Sequence, residues 1–490
     1  MTLRTRVAIG LGWTGASHWI GLLLATVTTM VVARFLVPAD YAVVAAAGVL
    51  AGVVGVLQES GLGAAVVHHS GAGERAATTA LVLNVAGGTL ALVACLAATP
   101  WVARFFQIDA VGPLAVAFIP LWFRAWTNVP LARLQKALDF RRCALVEGAQ
   151  MVAYPTLTIP LAVVGAGVWA LVLGQAGAAL IGAATAWSLG GWRPRRGDVD
   201  WAVGRALLRY GRPLVWSNVL GMVNDRIDNV ATGRVLGAPA LGVYAMAFRL
   251  AALPRTGFTF VVSRVLFPAM SAIQGDERRM RDGFVRALHW VGVLAMPASV
   301  GLALVAPELV RVALGPRWTD VVTPLRVLAV FGFLAPLAAT TGDAFKATGR
   351  SNLIFRIGLL HSAVLWTGLA LLTWRGTAAV ALAVSAATLL SATVSFVCVL
   401  GPLRLGVAEV GRALASPAVG TATMAAAVIA ARTLTVAGDA FRLVTLVGVG
   451  AAVYVIAMAL LAPADARELA GALAAFRERR PGEARALARG

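Results

Sequence analysis

Residues Thr78–Pro100 read TTALVLNVAGGTLALVACLAATP, a stretch without a single charged side chain. Wound as a helix at about 1.5 Å per residue, it crosses a hydrocarbon core of about 30 Å. Working outward, the same kind of stretch recurs almost end to end. About fourteen apolar segments fall near 9–33, 41–67, 78–100, 111–132, 144–164, 168–190, 208–233, 240–268, 284–305, 322–343, 353–374, 377–400, 415–436 and 442–462. Hydrophobic residues make up 59% of the chain. The loops between segments are short, so little chain remains for a soluble catalytic domain. The expected fold class is an all-α polytopic membrane protein with about 14 transmembrane helices.

The 490 residues carry a net charge of +20, unevenly distributed. With the N-terminus taken as cytoplasmic, one set of alternate loops holds Arg4, Arg6, Arg75, Arg133, Lys136, Arg141, Arg142, Arg193, Arg195, Arg196, Arg278, Arg279, Arg281, Arg350 and the tail arginines. The opposite set is poorer, with Arg34, Arg104, Arg234, Arg311, Arg317 and Arg375 among its members. This asymmetry follows the positive-inside rule. It puts both termini in the cytoplasm and calls for an even number of spans; it does not call for nucleic acid. Cys95, Cys143 and Cys398 form no CxxC pair, which argues against a disulfide framework or a zinc site. His289 and His361 have no carboxylate at ligand spacing, so no metal is expected. No GxxxxGK[ST] loop, GxSxG elbow or HExxH pair occurs, and the chain is expected to be neither an ATPase nor another enzyme.

The basic connection from Arg193 to Arg212 separates six spans from six. The expected division is an N-terminal lobe over 1–200, a second lobe over 201–410, a further pair of spans over 411–462, and an Arg-rich tail over 463–490. Two echoes at an interval of about 200 residues support it. Ser17–Gly21 with Ala33–Leu36 resembles Ser217–Gly221 with Gly233–Leu236, and Lys136-Ala137 resembles Lys346-Ala347. Repeats of six spans share one orientation, and transporters built this way bind substrate between the halves.

A charge at mid-bilayer is costly, roughly 2.5–3.5 kcal/mol on insertion scales. The charges within spans are therefore the candidate site residues: Arg124 in span four, Asp225, Arg226 and Asp228 in span seven, Arg249 and Arg255 in span eight. At about 100° per residue, Asn218, Asp225 and Thr232 share one face of span seven, with Gly221 and Asp228 beside it and Arg226 on the flank. Thr14, His18, Gly21, Ala25 and Thr28 form the matching stripe on span one. Two such stripes read as walls of a wet, cationic cavity, since guanidinium stays charged and binds phosphate bidentately. In the alternative, Asp225 or Asp228 neutralises Arg226, Arg124 or Arg249 in a buried pair. Arg249 and Arg255, six residues apart, are not expected to share one cavity, and Pro254 is expected to kink the helix between them. His18 is either proton-linked or simply packed. Glu147 lies near the cytoplasmic end of span five, where a headgroup-level position costs little. Trp122, Trp126 and Trp216 are interfacial anchors or sugar-stacking rings.

Several stretches carry a family resemblance. ARFLVPADY (33–41), QESGLGAAVV (58–67), PLARLQKALDFRR (130–142), LGAPALGVY (236–244), RLAALP (249–254), FPAMS (267–271) and DAFKATGR (343–350) follow the order seen in bacterial polysaccharide flippases, and the chain most resembles the Wzx/WzxC-like branch. The resemblance implies the MOP transporter fold of two six-helix lobes working by alternating access. It also implies transfer of undecaprenyl-diphosphate-linked oligosaccharide across the bacterial inner membrane, driven by an ion gradient or membrane potential, without a cofactor. On that reading Arg124, Arg226 and one of Arg249 or Arg255 hold the diphosphate. Asp225, Asp228, Asn218 and His18 contact sugar or couple to a cation. The expected partners are membrane lipids and a polysaccharide polymerase or co-polymerase complex, and the expected state is a monomer. Competing readings are a lipid II-type flippase, a MATE-like drug or cation antiporter, and a polysaccharide polymerase or ligase.

Overall fold

A computed structural model describes residues 3–58, 73–205, 221–257, 276–435 and 438–465. Among the described residues the protein is helical without strands. In chain order the helices are α1 (Leu3–Ala33), α2 (Pro38–Gln58), α3 (Gly73–Phe106), α4 (Val111–Val116), α5 (Ile119–Lys136), α6 (Phe140–Val163), α7 (Val168–Gly190), α8 (Ile227–Leu236) and α9 (Ala238–Ala251). They continue with α10 (Glu277–Leu309), α11 (Val322–Ala347), α12 (Ser351–Leu372), α13 (Thr377–Leu400), α14 (Val407–Leu434) and α15 (Asp439–Leu461).

Ten helices among the described residues are long and apolar enough to cross a membrane. The chemistry of their surfaces agrees with that environment. In α15 only Leu446 and Gly450 are buried, while Val444, Val447, Val455 and Leu460 point outward. Large apolar side chains on an outer surface have a lipid neighbour rather than water. Polar hydroxyls inside these helices are satisfied locally: Thr28 donates to the Leu24 carbonyl at 2.6 Å, Thr29 to Ala25 at 2.7 Å and Thr99 to Cys95 at 2.9 Å.

Two compact units emerge from the packing. The first comprises 1–250, 313–324 and 362–384; the second comprises 251–312, 325–361 and 385–490. In the first unit α6 packs along α7, α1 against α6, and α5 against α7 and α3. Gly174 makes the α6–α7 seam possible, since a methyl group there would collide with Thr158 Oγ1. Its core gathers Ala42, Ala46, Phe106, Leu114, Phe118 and Leu121. In the second unit α10, α14 and α15 pack together. Phe284, Leu288, Val291 and Ala295 of α10 form one buried stripe at helical spacing, against Leu337, Phe345 and Val399. Farther along, Glu308 is 4% exposed. It accepts from Arg432 Nη2 at 2.7 Å, with Arg442 Nε at 3.8 Å, and so ties α10 to α14 and α15.

The structure departs from the sequence reading at spans seven and eight. Span seven is not one continuous helix among its described residues: a turn at Asp225–Arg226 precedes α8. The phase argument that put Asp225 and Thr232 on one face fails because a turn resets the rotation. Span eight stops at Ala251, passes a turn at Ala252 and resumes helical form from Leu253. Pro254 lacks the N–H that would continue the hydrogen-bond ladder, so the interruption precedes it.

Candidate functional site

Within the first unit, five helices enclose a cavity of ≈ 540 Å³. Each wall obeys the 3.6-residue period. Gly21 and Ala25 come from α1, Pro120 and Arg124 from α5, and Glu147, Gln150, Met151 and Tyr154 from α6. Gln175, Ala178 and Ala179 come from α7, and Arg249 from the end of α9. Small residues at 21, 25, 178 and 179 leave the space. The α1 wall is close, since a methyl on Gly21 would lie 2.7 Å from Met151 Sδ. Leu121, Ala125 and Val129 bury the other face of α5, which turns Arg124 toward the opening, where it is exposed.

The lining holds two guanidinium groups and one carboxylate, a formal excess of one positive charge. Arg124 and Arg249 offer planar forks of N–H donors suited to phosphate oxygens. Gln150 and Gln175 both donate and accept, and Tyr154 adds a hydroxyl, a combination suited to a polyol. A volume of this size lies within the range of about 300–1,000 Å³ typical of small-molecule sites. Among the described residues no group of three or more His, Cys, Asp or Glu could hold a metal ion.

Of the sequence candidates, Arg124 and Arg249 meet in this cavity, and Gly21 and Ala25 of the span-one stripe join them. Arg226, Arg255, Asp225, Asp228 and His18 lie elsewhere. Arg226 sits exposed on the turn before α8, with its Nη1 3.9 Å from where a Gly48 methyl would be. Arg255 belongs to the second unit and stacks its guanidinium 5.4 Å from the Phe331 ring centroid. Asp225 is exposed on the same turn as Arg226. Asp228 is 3% exposed and accepts from Tyr244 Oη at 2.7 Å and from the Asn229 N–H at 2.7 Å. That carboxylate is enclosed by hydrogen bonds, in place of both the wet wall and the arginine pair anticipated for it. His18 is half-buried on α1 and outside the cavity lining. Thr28 is buried. Asn218 and Trp216 lie outside the described residues. Trp122 and Trp126 join Trp187 and Trp192 in a ladder with successive centroids 5.9, 6.0 and 5.9 Å apart.

Sequence reasoning missed the α6 wall. Glu147, not among the candidate site residues, lines the cavity. The signal was present as Glu147, Gln150 and Tyr154 at i, i+3 and i+7, a polar stripe on one face of span five. Their polarity keeps α6, though 24 residues long, out of the set of helices apolar enough to cross a membrane.

Comparison with solved structures defines the fold. The structure aligns with lipid II flippase MurJ in its inward closed conformation at a TM-score of 0.73 and 13% identity, covering 92% of this chain and 98% of that one. It aligns with an inward-facing multidrug resistance MATE transporter at 0.64 and 17%, covering 80% and 98%. The fold is the one these two transporters share with it.

A family model described as "Polysaccharide biosynthesis protein" matches residues 31–323, and the chain belongs to that family. Among its relatives, the lipopolysaccharide biosynthesis protein WzxC of Escherichia coli is 25% identical over 74% of each chain. The teichuronic acid biosynthesis protein TuaB of Bacillus subtilis is 26% identical over 61% of this chain and 62% of its own. The succinoglycan biosynthesis transport protein ExoT of Rhizobium meliloti is 24% identical over 74% and 73%.

Proposed function

We propose that the protein is a flippase that carries a lipid-linked oligosaccharide, with undecaprenyl diphosphate as the carrier, across the bacterial inner membrane for assembly of a surface polysaccharide. The observation that carries this reading is the cavity in which Arg124 and Arg249 stand beside Gln150, Gln175 and Tyr154. Guanidinium forks suit a diphosphate; carboxamides and a phenol suit sugar hydroxyls. Family membership and relatives named for polysaccharide biosynthesis and transport support the same substrate class. The prenyl tail stays in lipid, so only the polar headgroup needs the cavity. The division into lobes over 1–200 and 201–410, cytoplasmic termini, a monomeric state and alternating access driven by a gradient belong to this proposal. No bond is made or broken in the step.

Two arginines against one glutamate disfavour a cationic substrate, which sets this reading apart from a drug or cation antiporter. The test is complementation of a strain lacking the gene. Arg124→Ala and Arg249→Ala should each lower polymer export about tenfold or more, the equivalent of ~1.4 kcal/mol, at unchanged protein abundance. Arg→Lys at either site should restore part of it, since a point charge remains but the fork is lost. Export at the wild-type level from both alanine variants would overturn the proposal, as would altered drug susceptibility with normal export.

A further inference from the structure

The second unit contains a separate cavity of ≈ 750 Å³ near the start of α10, the start of α14 and the end of α15. Its chemistry follows from the period of α10. Arg278, Arg281, Asp282, Val285, Arg286 and His289 stand at i, i+3, i+4, i+7, i+8 and i+11, a single stripe opposite the buried stripe Met280, Phe284, Leu288 and Val291. From α14 come Glu409 and Arg412. An ion pair of Arg281 with Glu409 holds the walls, together with His289, whose Nε2 lies 2.6 Å from Asp465 Oδ2 and whose Nδ1 meets the Ala413 carbonyl at 2.8 Å. Asp465 is remote in sequence, so the local spacing around His289 gave no sign of it. Arg278, Arg286, Arg412 and Asp282 complete the charged lining, and all four side chains are exposed. Val285, Trp290, Ala413 and Ala464 supply apolar surface among these charges.

We infer that this pocket binds the phosphate headgroup of an anionic membrane phospholipid at the bilayer surface. The lining carries four arginines against three carboxylates, and arginine is the side chain whose fork fits a phosphate ester. The lining combines charged groups with apolar side chains, Val285 and Trp290 among them, and a lipid headgroup with its attached glycerol offers the same combination. A basic pocket between the ends of membrane helices is a site of headgroup recognition. The residues that follow, 466–490, hold six arginines and three glutamates, a charge of the same sign as the pocket's excess, which argues against the tail as its occupant. The neighbouring Arg279 and Arg404 lie outside the lining and pair with Asp276 at 3.2 Å and Glu277 at 2.9 Å. They supply a control of equal charge.

The experiment uses the full chain in nanodiscs of phosphatidylcholine doped with phosphatidylglycerol or cardiolipin, with retained lipids counted by native mass spectrometry. The wild type should hold an anionic lipid in preference to phosphatidylcholine. The pair Arg278→Ala/Arg412→Ala should lose that preference about tenfold or more, and Arg279→Ala/Arg404→Ala should keep it. Asp282→Asn removes an exposed competing carboxylate without touching the core and should strengthen retention, which keeps the proposal testable if the double variant does not fold. Equal retention by wild type and the 278/412 pair overturns the proposal, as does unchanged or weaker retention by Asp282→Asn. Inorganic phosphate alone should give no thermal stabilisation. Stabilisation equal to that given by the lipid would assign the pocket to a soluble phosphate instead and overturn the lipid assignment.

Discussion

Asp228 illustrates how one side chain's role depends on what closes around it. Its sequence position in an apolar span suggested a wet cavity or an arginine partner. Its neighbours are instead a phenol hydroxyl and a backbone amide, both donating to it. Asp228→Asn would turn an amide NH₂ toward one of those donors and leave a buried group unpaired, at about 1–3 kcal/mol. Unfolding of the purified variant should show that loss, while export at permissive temperature stays close to wild type. Lost export with unchanged stability would return Asp228 to the transport pathway. Arg124 and Arg249 show the converse: sequence marked both as costly charges, and the fold brings them to one cavity. Arg255 drew equal attention in the sequence, yet it stacks on Phe331 in the other unit. A helix break between residues 251 and 253 separates the two arginines in rotation, and depth in a span alone carried no information about that.

At the level of elements, the polar face of α6 was legible and undervalued. Glu147, Gln150 and Tyr154 share a face by arithmetic alone, but only packing against α1 and α7 turned that face toward Arg124. The second unit depends on a similar convergence at Glu308, where α14 and α15 each bring an arginine to a carboxylate of α10. Glu308→Ala removes the shared acceptor and leaves Arg432 and Arg442 facing each other. Because both arginines are partly solvated, the expected destabilisation is about 1–3 kcal/mol rather than the larger figure for a sealed pair. It should appear as earlier thermal unfolding in detergent, with Glu308→Gln falling between the two; equal midpoints for all three proteins would refute the clasp.

At the level of the molecule, the outward apolar surface requires lipid. Val447 of α15 is 52% exposed. Val447→Arg should cost roughly 2.5–3.5 kcal/mol of insertion free energy and reduce the membrane-integrated fraction in a topology-reporter assay, whereas Val447→Leu should not. Unimpaired insertion of the arginine variant would place that face against water. The helical membrane class was determined by sequence, because hydropathy acts over some twenty consecutive residues and needs no knowledge of neighbours, and the family by the order of its motifs. Which charges share a cavity, which carboxylate is sealed by a phenol, and how Asp465 reaches His289 were decided only by the tertiary structure. Those outcomes turn on rotations set by turns at 225–226 and 252 and on contacts between residues far apart in the chain, where a single broken turn redirects every side chain that follows it.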